Sequence, residues 1–173
     1  TSGTPIAEAR PLLVSMWNRL PLLGLLLAVN VAVGQADSLP AVNQRVVAFV
    51  RERMGQQVGR GECWDLAAAA LNAANARWDG DYGFGRKVDP QREPVLPGDI
   101  VQFEGVEFEW EEGLDIHTVR MPHHTAVVLE VTGTGVFVIA QQNTQETGRR
   151  TGTGDLWLSR RTKGRLVFHR PAE

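Results

Sequence analysis

The apolar residues of this chain change period once, near residue 99, and that change fixes the class of fold. Before it they recur at helical spacing. Val42, Val46, Phe49, Val50 and Met54 share one side of a turn, with Arg45, Arg51 and Glu52 opposite. Ser38 and Pro40 read as its N-cap and first turn, and Gly55 as its stop. Cys63, Leu66, Ala67, Ala70, Leu71, Ala74 and Trp78 make a second stripe, which predicts an amphipathic helix over 63–78. Residues 79–98, rich in Gly, Asp, Pro and Arg, read as a long loop. After it the chain alternates. Short strands are predicted at 99–103, 106–112, 116–121, 124–131, 136–143, 156–158 and 165–169, with Pro122 turning the chain and Gly133-Thr134-Gly135 closing a hairpin. Helices first and strands after predict an α+β fold, two N-terminal helices packed on an antiparallel sheet of about five or six strands.

The first 36 residues read differently. Arg10 and Arg19 precede an apolar run from Leu20 to Val33, and Gly34 and Ala36 stand at −3 and −1 of a cleavage point. Such a flank, run and exit describe a secretory signal, which leaves 37–173 as one mature domain. The run is short for a membrane span. A secreted or periplasmic protein with no stable membrane association after cleavage is expected. The formal net charge of −2 gives no basic field of the kind that nucleic acid attracts. Charge is uneven, however. Residues 104–115 hold six acids and no Lys or Arg, and residues 146–173 hold seven cations against three acids.

Export sharpens the meaning of Cys63, the single cysteine. It has no disulfide partner within the chain, so it is a buried apolar residue, an intermolecular link or a reactive thiol. Its place at a predicted helix start favours the third, because a helix N-terminus carries about half a positive charge. His124 begins a β-prone run, and the strand that returns from the hairpin ends on Gln141 and Asn143. That hairpin sets His124 beside Gln141 and Asn143, and a helix packed on it brings Cys63 to His124. Thiol, imidazole and orienting amide are the parts of a cysteine hydrolase. His123 points to the other face of the strand and reads as a rim residue. Gln57 is a weaker candidate as an oxyanion donor. A metal site from Asp115, His117, His123 and His124 lacks any standard zinc spacing.

The ordered set "GECWDLA", "PGDIVQF", "HHTAVV" and "AQQN" resembles the CHAP family of cysteine- and histidine-dependent amidohydrolases and peptidases, over roughly residues 40–170. The resemblance implies a papain-like fold and hydrolysis of amide bonds in peptidoglycan, with no cofactor and no metal, by a monomer. It makes Cys63 the nucleophile, His124 the base and then the acid, and Asn143 the orienting amide. Gln141 stands where the family usually has Glu, so charge support for an imidazolium is missing. That departure, with the acidic insertion, motivates an alternative: a weak or inactive module that binds an envelope polymer or a protein. A papain-like peptidase or acyltransferase with another substrate is a third reading.

Overall fold

The computed structural model describes residues 39–173. The leader expected over 1–36, and the Ser38 cap, lie outside the described residues. Among the described residues no helix is long and apolar enough to cross a membrane.

Helix α1 spans Ala41–Glu52 and starts directly after Pro40. Val42, Val46, Val47 and Val50 form its buried side. Helix α2 spans Cys63–Ala73, five residues shorter than the apolar stripe predicts. The reason is Asn75, which takes a left-handed φ of 52°. Asn75 N–H then donates to Asn72 O at 3.1 Å and Ala76 N–H to Leu71 O at 3.0 Å. This paired closure of a helix end uses asparagine where glycine is more usual. Trp78 still packs against the helix cluster, but from the following loop.

The strands are fewer and longer than the alternation suggests. They are β1 (Arg86–Val88), β2 (Ile100–Glu112), β3 (Asp115–Gly133), β4 (Val136–Gln141), β5 (Gly152–Trp157) and β6 (Arg161–Arg170), with a short 3-10 turn at Leu158–Arg160. They make one sheet in the order β1-β6-β2-β3-β4-β5, and every pairing is antiparallel. Strand β1 lies within the expected loop. Pro122 does not turn the chain but sits inside β3. Its missing N–H is tolerated because the β2–β3 ladder skips the step between Glu104↔His123 and Val106↔Met121. Opposite it, Gly105 has φ 59°, and β2 is irregular there against β6. The 106–111 and 116–121 segments therefore continue β2 and β3 as a two-stranded arm. The arm ends at Gly113, with Leu114 and Ile116 exposed at its tip.

Both faces of the sheet are apolar. One carries Ile100, Val127, Leu129 and Ala140 under α1 and α2. The other carries Val101, Phe103, Ala126, Val128, Phe137, Ile139 and Phe168, and among the described residues no helix lies on it. It is covered by curling. Phe137 on β4 and Phe168 on β6 meet at 5.6 Å between ring centroids. Strands three places apart lie ~14 Å apart in a flat sheet, so this one closes on itself as an incomplete barrel.

The "PGD" stretch is a structural joint. Asp99 is fully buried and accepts from Arg170 (3.0 and 2.9 Å), Asn43 Nδ2 (3.0 Å) and Leu96 N–H (2.9 Å). It ties β2 to β6 and to α1. Gly98 has φ 84°, and a Cβ there would stand 2.6 Å from the Asn43 carbonyl oxygen, so only glycine lets α1 approach this closely.

Candidate active site

Cys63 occupies the first turn of α2, free and half-buried. The loop before it is held from two sides. Asp65 turns back and accepts from Arg60 N–H at 2.7 Å and Glu62 N–H at 3.2 Å. Gln142, with no exposed surface, takes Val58 N–H on Oε1 (3.1 Å) and donates Nε2 to Val58 O (3.0 Å) and Glu62 O (2.8 Å). Thr151 adds a bond to the same Oε1 at 3.3 Å. One side chain from just past β4 thus fixes the backbone that carries the thiol. Asn143, at φ 64°, donates Nδ2 to Glu62 Oε2 at 2.7 Å.

His123 and His124 are adjacent on β3 and point to opposite faces. His124 and Gln141 are joined as the hairpin requires, Nε2 to Oε1 at 2.9 Å. They share the face of Ala126, Val128, Phe137 and Ile139, and the His124 ring meets the Phe103 edge at 5.4 Å. Helix α2 packs on the other face. His124 also reaches the rim of the sheet, where it lines one cleft together with His123 and Asn143. His124 is 6% exposed, and burial pushes its imidazole below the usual value of 6.5, against the opposing hydrogen bond from Gln141, with the His123 charge lowering it further.

His123 is the histidine on the helix side. It is exposed, with its Nε2 3.1 Å from Gln102 Nε2. Gln102 is buried and bonds Thr125 Oγ1 through Oε1 at 2.6 Å. Gln102 Nε2 donates to His123 Nε2 and, at 3.4 Å, to the Phe103 carbonyl oxygen, while its Oε1 accepts from Thr125. The His123 ring also stands edge-on to Tyr82 at 4.8 Å. Tyr82 is close to Cys63 as well. Burial raises its phenol above the usual value of 10.0, and the charges of Cys63 and Asp81 add to the rise. Tyr82, His123 and Gln102 thus form one run of contacts, with Cys63 near Tyr82. Gln57 is exposed and bonds only Gly59 O, at 3.3 Å. No group of three or more His, Cys, Asp or Glu among the described residues is arranged to hold a metal.

His123, Gln102 and Gln142 were the residues that the pattern did not single out for these places. The one signal for them was parity. Gln142 is in step with Ala140, and His123 with Thr125, Val127 and Leu129, the positions that α1 and α2 cover.

A polar cleft of about 310 Å³ opens beside the histidines, between Thr118–His124 and Asn143–Glu146. An apolar pocket of about 250 Å³ adjoins it, sharing Val119, Met121 and Glu146.

A free thiol at a helix start, packed on a curled antiparallel sheet that presents a histidine, defines the domain as one of cysteine proteinase fold. The chain belongs to the AIM3/BBC1 cysteine proteinase-fold domain family, whose model matches residues 40–173. It is 30% identical over 148 residues to altered inheritance of mitochondria protein 3 of Debaryomyces hansenii, covering 73% of this chain and 15% of that protein. Among solved structures it is similar to the crystal structure of Ly7917 (TM-score 0.49, 19% identity, 75% of this chain and 62% of that one). It is also similar to Ly7917 with the hydrolyzing product of MDP (TM-score 0.47, 20% identity, 75% and 63%).

Proposed function

We propose that this domain is a thiol-dependent amide hydrolase of CHAP type in which Cys63 is the nucleophile and His123, not His124, moves the proton. The observation that carries this reading is the shared face: α2 packs on the side of the sheet where His123 stands, held by Gln102. His123 takes the thiol proton, and the thiolate attacks the amide carbonyl. Collapse of the tetrahedral adduct gives a thioester, and the imidazolium protonates the departing amine. Water then attacks the thioester and returns its proton to His123, and the acid leaves as Cys63 is restored. Gln102 keeps the imidazole in one tautomer as a neutral amide. Asn143 acts through Glu62 on the loop before Cys63 and does not orient the base.

The CHAP resemblance makes peptidoglycan amide bonds the first substrate to assay. The same reading takes residues 1–36 as a leader and the mature domain as a secreted or periplasmic monomer. A second reading, a module that binds without turnover, draws on the amides. Both histidines are partnered by glutamine, and neither pair contains a carboxylate.

The test is iodoacetamide labelling of Cys63 in the folded protein across pH 4 to 9, beside digestion of peptidoglycan and of a denatured protein. Labelling that slows in His123→Ala and persists in His124→Ala, with hydrolysis lost in Cys63→Ser, is the expected outcome. Hydrolysis that survives Cys63→Ser would sink the enzyme reading. Labelling that depends on His124 alone would return the base to that residue.

A further inference from the structure

Strand β3 is longer than the partner that covers its outer side. Strand β4 pairs with β3 only from Val127 to Gly133. Over Asp115–His124 the same strand has β2 on one side and, among the described residues, no strand on the other. Its main-chain groups there form an open edge, a template for another strand. The edge is also one wall of the cleft that ends at His123.

The opposite wall is a braced turn. Asn143 N–H donates to Gly148 O at 2.6 Å, Gly148 N–H to Thr144 O at 2.9 Å, and Thr147 N–H to Thr144 Oγ1 at 3.1 Å. These bonds are spent within the turn, so they hold its shape and leave the β3 edge open.

The pocket next to the cleft completes the geometry. It lies on the barrel side, floored by Phe103, Phe108, Ile139 and Leu156, with Glu146 and Asp155 at its margin. Side chains of a strand point alternately to the two faces of its sheet. A strand added to the β3 edge therefore sends one side chain into this pocket and its neighbours toward the side where Cys63 and His123 stand.

We propose that the free edge of β3 at Thr118–Pro122 binds the substrate as an extended polypeptide strand, with one bulky apolar side chain seated in the pocket of Phe103, Phe108, Ile139 and Leu156. Main-chain pairing supplies the register, and the pocket supplies the choice of residue. The two carboxylates at the margin disfavour an acidic side chain there. This rests on the proposed hydrolase only for where the scissile bond would fall; the binding itself needs no turnover.

The test uses the Cys63→Ala protein and a fluorescein-labelled peptide of alternating Thr and Val with a central Phe. Companion peptides carry Gly or Glu at the centre, or methyl groups on every second amide nitrogen. Anisotropy should show the Phe peptide binding, with affinity about tenfold weaker on N-methylation and about tenfold weaker for Gly or Glu. Amide shift changes in a magnetic-resonance titration should fall on 117–123 and 143–146. Thr153→Trp, which fills the pocket, should abolish the preference for Phe and leave N-methylation harmful. Equal binding of the N-methylated peptide, shifts confined to another surface, or no binding by any of the peptides overturns the proposal. A reactive Cys63 beside any of those results leaves the hydrolase standing without this site. An inert Cys63 beside edge binding does the reverse.

Discussion

His123 and His124 are chain neighbours, and the sheet between them gives them different chemistry. His123 is exposed on the helix side, against Tyr82 and bonded to Gln102. His124 is largely buried on the barrel side, against Phe103 and bonded to Gln141, and lines the edge of the same cleft. A base must reach both the nucleophile and the substrate, and the proposed function gives that task to His123. On that proposal His124, bonded through Nε2 to Gln141, has a structural task. The imidazole group is the same in both, and the face of the strand decides its use.

The largest expected effect separates the pair by rate. His123→Ala should lower hydrolysis roughly a hundred- to ten-thousand-fold, the usual share of a positioned acid–base group, while changing the melting temperature little. Equal losses of rate from His123→Ala and from a folded His124→Ala would break the distinction. Stability should invert the order. His124→Ala empties a packed site and strands Gln141, which should cost about 2–4 kcal/mol in denaturant unfolding, against less than about 0.5 kcal/mol for His123→Ala.

Gln142 offers a finer test, because it serves the thiol through the backbone. Gln142→Leu leaves Val58 N–H without its partner in a buried place and should cost about 1–3 kcal/mol. Restoring part of the lost labelling rate with Gln142→Asn, but not with Leu, would tie that loss to the loop before Cys63. Acid gives the smallest effect. The folded His124 holds its proton more weakly than the unfolded chain does. Its contribution to stability is therefore present above the unfolded value of 6.5 and is lost as pH falls through the lower folded value. Buried His169 is lowered in the same direction, first by burial, and adds to the slope. Unfolding midpoints measured from pH 7.5 to 5 should fall less steeply in His124→Asn than in the parent. An unchanged slope would mean that His124 is not the buried base described here.

Much of the architecture was legible. Two helical stripes before residue 99 and alternation after it gave the class, and the apolar stripe beginning at Cys63 placed the thiol at a helix start. The misses have local causes. Asn75 ended α2 because its left-handed closure outweighs five more residues of apolar spacing. Pro122 stayed in β3 because the ladder skips a step beside Gly105. Strand β1 is three residues among Gly and Pro, too short to show a period.

The sequence by itself determined that Cys63 begins a helix, that the run from His124 to Val131 is strand, and which residues share each face of it. Val127 and Leu129 on one side and Ala126 and Val128 on the other are all buried, so hydrophobicity could not say which side the helices cover. Alternation fixes relative side and not absolute side, and a shift of one residue exchanges them all. The tertiary structure made that choice, by laying α1 and α2 on one face and curling the sheet over the other.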